Sequence, residues 1–308
     1  MKILVAGGTG LIGTNLVLEL SDQGHKVAVL TRSPDQETPF PDSVRLVEWD
    51  ALTSEGWLDD LEAAEVVINL AGENIAGKGF FPEPWTAERR DSILNSRLKV
   101  GKALVSGFQK VNAKPDLLLQ ASAVGIYGSQ SGDRELTENS PTGSGFLAEV
   151  CRAWEDSTLP VEELGVRRAV CRLGIVLDPR GGALKRMLLP FKFFVGGPFG
   201  SGKQWYSWIH TDDVSGAMLH LVQNGDSSGI YNFTSPNPVS NREFARILGK
   251  VLNRPSWIRV PGFVLRALFG EVASVVLEGQ RVKPEKLLES GYTFRYTELQ
   301  PALQDLVG

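Results

Sequence analysis

KILVAGGTGLIG, Lys2 to Gly13, is the stretch that decides the fold. Ile3, Leu4 and Val5 form a short apolar run, the pattern of a strand buried on both faces. The run stops at Gly7, and Gly10 and Gly13 follow at three-residue steps. Leu11, Ile12, Leu16, Val17 and Leu20 then recur with a helical period. Strand, glycine turn and helix in direct succession favour a bound phosphate. Glycines let the backbone approach closely, and the helix start offers unpaired N–H groups and a partial positive charge. The plain alternative is a tight turn with no ligand, but the context a nucleotide turn requires is complete.

The bulk numbers fit that reading. A chain of 308 residues suits one large α/β domain, or a nucleotide domain with a smaller substrate lobe. With 42% hydrophobic and 22% charged residues it falls in the soluble globular class. A net charge of −4 leaves no nucleic-acid footprint. No apolar run reaches the length of a membrane span. Two cysteines, Cys151 and Cys171, argue against a disulfide framework and for a reducing compartment. A strand that starts at Lys2 leaves no room for a signal peptide, so a cytoplasmic location is expected.

Outward from the glycine turn, Gly24 ends the first helix and Lys26 to Leu30 form a second strand. At its end a Rossmann fold selects its cofactor: an acid bonds the ribose of NAD, and an arginine accommodates the 2′-phosphate of NADP. Here stands Thr31-Arg32-Ser33, which points to NADP(H). The competing reading is a solvated surface arginine. Val44 to Trp49, Glu65 to Leu70, Asp116 to Gln120 and Arg167 to Leu173 read as further strands, with a long helix over Ala87 to Phe108. Residues 76 to 85, containing GKGFFPEPW, read as a loop able to cover a site.

The G-x-x-G-x-x-G spacing resembles the extended short-chain dehydrogenase/reductases. Asn69-Leu70-Ala71-Gly72 resembles that superfamily's N-x-A-G element, which lines the cofactor. The continuation Glu73-Asn74-Ile75, the Ser96-Arg97 pair and the C-terminal run Glu278-Gly279-Gln280-Arg281 are similar to one branch. That branch is the atypical "epimerase family", nucleoside-diphosphate-sugar epimerase-like, with a C-terminal domain of unknown function. The resemblance implies a doubly wound parallel sheet in the order 3-2-1-4-5-6 with an extra strand. It implies an NADP-binding Rossmann domain over 1–170, completed by later strands, and a substrate lobe with a small C-terminal domain over 175–308. It places Gly7, Thr9, Gly10, Leu11, Ile12 and Gly13 on the cofactor. To these it adds Thr31, Arg32, Asn69, Leu70, Ala71 and Gly72, with Asp50 near the adenine and Arg97 toward the phosphates. Spacing alone reads Arg97 as a helix-surface charge.

The resemblance also exposes a gap. The family carries two adjacent serines before Tyr-Gly, then Tyr-x-x-x-Lys some twenty residues on. Aligned on Tyr127-Gly128, Ser122 takes the first serine position and Ala123 the second. Phe146 and Val150 stand nearest the tyrosine and lysine, and neither titrates. Ser122 and Tyr127 remain as candidate proton donors, with simple packing in the turn as the alternative for Tyr127. Gln204, Trp205 and His210 resemble the pocket wall of sugar-nucleotide epimerases, while Trp208 and Ile209 read as core. His25 and His220 give His210 no metal-ligand spacing, so no metal site is expected. Two functions stay open: an NADP(H)-dependent oxidoreductase or epimerase-like enzyme, or a non-catalytic NADPH-binding sensor or interaction module. The expected partner of the first is a small molecule, a sugar nucleotide or another carbonyl compound. The expected assembly is a monomer or homodimer, with no nucleic-acid or membrane partner.

Overall fold

A computed structural model describes every residue except Lys78, Phe80 and Ser131. Its centre is a sheet of seven strands: β1 (Lys2–Ala6), β2 (Lys26–Thr31), β3 (Arg45–Glu48), β4 (Val66–Asn69), β5 (Leu117–Ala123), β6 (Arg167–Leu173) and β7 (Gly229–Phe233). All neighbouring pairs are parallel, in the order β3-β2-β1-β4-β5-β6-β7. This is the expected doubly wound order with its extra strand. The order reverses between β1 and β4, which opens a crevice at the strands' carboxyl ends.

The helices up to residue 269 are α1 (Leu11–Asp22), α2 (Leu58–Ala63), α3 (Ala87–Lys110), α4 (Phe146–Asp156), α5 (Gly182–Lys192), α6 (Thr211–Gln223), α7 (Asn241–Leu252) and α8 (Gly262–Phe269). Alternate residues of β1 serve two cores. Ile3 and Val5 pack with Leu16, Val17 and Leu20 of α1 and with Met218 and Leu221 of α6. Leu4 and Ala6 pack on the other face with Leu61 of α2 and Val100, Leu104 and Phe108 of α3. Burying each large aliphatic side chain contributes about 1.5–3 kcal/mol. The helical stripe and the β1 run are therefore two halves of one interface.

Element ends moved where tertiary pairing extended them. β5 runs on past Gln120 because Ala121, Ser122 and Ala123 pair with Cys171, Arg172 and Leu173 of β6. The start of α6 carries two acids, Asp212 and Asp213, but neither side chain caps it. Instead the His210 ring caps it: Nδ1 accepts from the Asp212 N–H at 3.1 Å. Residues after 175 are not confined to an outer lobe. β7 joins the main sheet, and Leu287 and Phe294 enter the α1/α6 core. A separate cluster ties α5 and α7 to the last helix, Leu299–Val307. Arg281–Val282 pairs with Glu135–Leu136, which carries the C-terminal segment over the end of β5. No helix among the described residues is long and apolar enough to cross a membrane.

Candidate functional site

The glycine turn is built by steric exclusion. Gly7 sits at φ +81°, and a Cβ there would lie 2.7 Å from the Ala71 nitrogen. A Cβ on Gly13 would lie 2.3 Å from the Gly7 carbonyl oxygen. The turns after β1 and β4 thus touch backbone to backbone, which only glycine permits. Helix α1 starts at Gly10 with no side-chain cap and no acid in its first turn. Its leading N–H groups and dipole therefore face the crevice uncompensated by protein charge, and Thr9 and Gly10 are exposed there. That donor set fits a pyrophosphate. Leu11 lies beneath the turn formed by Gly181 and Gly182, and Ile12 packs against the α1/α6 core.

Arg32 is exposed at the carboxyl end of β2, beside the buried Thr31, whose hydroxyl accepts from the Ser33 N–H. At the end of β3 the Asp50 carboxylate binds a local turn. It accepts from the N–H groups of Thr53 and Leu52, each at 2.8 Å, and from the Thr53 hydroxyl. The Thr53 and Leu52 bonds hold its carboxyl below the usual range. Its oxygens shape that turn.

The end of β4 is a latch. Asn69 is fully buried, donates to Gln120 at 2.9 Å and accepts from the Ala71 N–H at 3.1 Å. This holds Leu70, Ala71 and Gly72 against the glycine turn. Arg97 reaches the same place from α3. It is 8% exposed, and its guanidinium donates to the carbonyls of Ile93 and Glu73. A Cβ on Gly72 would come within 3.0 Å of that guanidinium. Arg97 is a buried cation, and the helix-surface reading of it is corrected. Ser96 accepts from the Glu73 N–H, and Arg89 and Ser92 bind the Glu73 carboxylate, so α3 clamps the whole 72–74 turn.

Beyond Arg97 opens a cavity of about 790 Å³. Trp85, Phe146, Trp154 and Trp205 supply aromatic walls, Ala123 and Cys151 its inner surface, and Glu278, Gly279 and Gln280 its outer side. Of the 76–85 loop, Trp85 lines the cavity and bonds the Ile75 carbonyl at 2.8 Å; Lys78 and Phe80 lie outside the described residues. Arg90 pairs with Glu271 across the mouth, and Phe81 stacks on Phe269. The C-terminal segment and the loop therefore meet over the cavity.

Several expected site residues face elsewhere. Tyr127 is fully buried, and its hydroxyl donates to Asn232 Oδ1 at 2.8 Å while accepting from Arg172 at 3.0 Å. Ser122 is 1% exposed and donates to Glu155 at 2.6 Å. Both hydroxyls serve a buried network centred on the Glu155–Arg172 ion pair, and neither residue lines the cavity. The assignment of either as proton donor is corrected on that geometry. Gln204 spends its amide on the carbonyls of Phe199 and Val276, outside the cavity. Trp205 does line it, with its indole N–H on Asp133. His210 is 1% exposed and packs against Tyr296 in a tilted ring pair, centroids 4.0 Å apart, away from the cavity. Its near partners are acids: donor atoms of His210, Asp212 and Asp305 lie within 4.8 Å of one another. Its Nδ1 already caps α6, and its Nε2 faces Asp305 at 3.4 Å. Histidine spacing gave no signal of that acidic pair.

Sequence reasoning missed Cys151, Trp154 and Arg90. The available signal was position: Cys151 follows Val150, the residue aligned with the family's lysine.

Comparison with known proteins matches the two ends of this architecture. Residues 3–147 match the "NAD dependent epimerase/dehydratase family", and residues 260–306 match the "Domain of unknown function (DUF1731)". The chain is 42% identical to the epimerase family protein SDR39U1 homolog, chloroplastic, of Arabidopsis thaliana, over all of this chain and 87% of that protein. It is 38% identical to epimerase family protein YfhF of Bacillus subtilis, over 100% and 98% of the two chains. The chain belongs to this epimerase family. A crystal structure of human epimerase family protein SDR39U1 with NADPH superimposes on this epimerase-family chain with a TM-score of 0.85. The two are 34% identical over 99% of each.

Proposed function

We propose that this epimerase-family protein is an NADPH-dependent reductase of a small carbonyl compound with an apolar, flat body. The observation that supports it is the placement of the cavity. It begins at Arg97, beside Gly72, where the nucleotide crevice ends, and aromatic side chains wall it. The residues present fit NADPH: the α1 N-terminus suits the pyrophosphate and Arg32 the 2′-phosphate, with Asn69 to Gly72 and Arg97 at the reactive end. NADPH would supply the hydride. The human relative crystallised with NADPH agrees with that choice of cofactor. The chain's own part is to hold the acceptor between Trp85, Phe146 and Trp205 and to exclude water beneath the 266–280 segment. Two free buried cysteines fit a reducing compartment, which we take to be the cytoplasm. The test is calorimetry with NADPH and NADH, followed by NADPH absorbance with a panel of quinones, diketones and sugar nucleotides. Tight NADPH binding with consumption on a flat carbonyl supports the reading. NADPH binding with no consumption on any of them supports a sensor instead, and no binding overturns both.

A further inference from the structure

A reductase of this kind needs an acid at the carbonyl oxygen, and the hydroxyls expected to act are locked in the core. The cavity wall carries other protic side chains, and among them the Cys151 thiol lies beside a buried cation. We propose that the Cys151 thiol is the proton donor and that the Arg97 guanidinium beside it stabilises the thiolate left behind. This rests on the carbonyl-reductase reading above.

The geometry converges on the sulfur. Cys151 lies on α4, 5% exposed, and lines the cavity together with Arg97, Ala123, Gly125 and Val150. A Cβ on Gly125 would meet the sulfur at 3.8 Å, so this glycine leaves room in front of it. The groups facing the thiol come from three elements: Arg97 from α3, Ser122 and the Ala123 N–H from the end of β5, and Glu155 one turn along α4. Ser122 gives its own hydrogen to Glu155. Glu155 is held by Arg172 on its far side, which confines that negative charge to the buried ion pair. Arg97 stacks over Trp154 at 4.7 Å, on the helical turn that follows Cys151. It uses two donor groups on backbone carbonyls, the Glu73 carboxylate acts on it through charge, and it lines the cavity with the thiol. Its charge is therefore available to an anion formed in the cavity.

Burial pushes the Cys151 thiol up to about 11, against the pull of Arg97. At neutral pH it is a protonated acid, as reduction requires. In the step, the carbonyl carbon accepts the hydride that NADPH supplies, and the π electrons move to oxygen. The S–H bond breaks as an O–H bond forms. The products are the alcohol, NADP⁺ and the thiolate, which regains its proton from solvent. Cys171 takes no part: it lies in the α1/α6 core, where burial drives its thiol far above the usual range.

The test uses the full chain and iodoacetamide, with the modified peptide identified by mass spectrometry. Cys151 should be alkylated, about tenfold faster per pH unit between pH 8 and 10, while Cys171 stays unmodified. Saturating NADPH should slow the reaction at least tenfold. Arg97→Met should slow it at every pH, and Arg97→Lys should restore most of the rate. With 9,10-phenanthrenequinone as acceptor, Cys151→Ala should lose at least about 100-fold in NADPH oxidation while binding NADPH normally by calorimetry. Alkylation that ignores NADPH, no alkylation of Cys151, or equal oxidation rates in the two proteins, zero included, overturns the assignment. Failure of calorimetric NADPH binding in the unmutated protein would instead remove the reductase reading beneath it.

Discussion

Arg172 grips Glu155 with a two-point hold, Nε to Oε1 at 2.8 Å and Nη2 to Oε2 at 2.9 Å, beneath the floor of the cavity. Both side chains are buried, and the third guanidinium nitrogen bonds Tyr127. Breaking one partner of such a pair leaves an uncompensated buried charge, which costs about 3–5 kcal/mol. Glu155→Ala should lower stability by that amount in urea unfolding. An Arg172→Met/Glu155→Leu double variant should recover much of the loss. A single-variant loss under 1 kcal/mol would place the ion pair in contact with water.

Tyr127→Phe tests the corrected role of this residue. The ring would still fill its site, but Asn232 Oδ1 and one Arg172 nitrogen would lose their partner. An unsatisfied buried group costs about 1–3 kcal/mol. The midpoint of thermal unfolding should fall, while NADPH affinity and any turnover stay unchanged. A loss of turnover of about 100-fold with normal stability would restore Tyr127 as a donor.

Arg32 stands exposed where the cofactor's 2′-phosphate is expected. A charge-assisted hydrogen bond contributes about 1.5–3 kcal/mol, or roughly ten- to hundredfold in affinity. NADPH should bind more tightly than NADH by that factor in calorimetry, and Arg32→Asp should erase the preference. Arg97→Ala should instead weaken both cofactors alike, since it lies beside Gly72 rather than at the β2 end.

Gly13→Ala tests the contact between turn and helix. Its added Cβ would lie 2.3 Å from the Gly7 carbonyl and 2.6 Å from the Gly8 Cα. Backbone on both sides leaves it nowhere to go, so the turn must open. NADPH binding should be lost, and the midpoint of thermal unfolding should drop. Retained affinity would show that α1 can shift along the sheet.

His210 gives a pH signature. Burial lowers its pKa in the fold, although Asp212, Asp305 and Asp213 pull the other way. Between its ordinary value, about 6.5, and the lower folded one, the unfolded chain binds the extra proton. Stability from this residue is therefore complete above about 6.5 and is lost as pH falls below it. His210→Asn keeps a capping oxygen for α6 but removes the titration. Thermal scans from pH 7.5 to 5 should show the unmutated protein losing more stability than the variant. Parallel curves would mean that the acids hold the ring's pKa at its ordinary value.

The local pattern determined the sheet, because strand, glycine turn and helical stripe act over neighbouring residues. Ile3 and Val5 are apolar, and Leu16, Val17 and Leu20 recur at helical spacing, so their burial against each other followed from period alone. Gly7 and Gly13 were legible for the same reason: steric exclusion at a short turn leaves one residue type. Arg32 was legible as an exposed charge at a strand end. What only the tertiary structure decided was where hydroxyls, cations and the thiol point. Tyr127 and Ser122 look available in sequence, but Asn232, Arg172 and Glu155, from distant segments, take up their hydrogen-bonding groups. Arg97 reads as a surface charge at its spacing, yet the turn after β4 buries it. Cys151 gains its place in the cavity only because α4 packs on the end of β5 and the 266–280 segment folds back over both. Hydrogen bonds and burial join residues far apart in the chain, and a one-dimensional period carries no record of those partners.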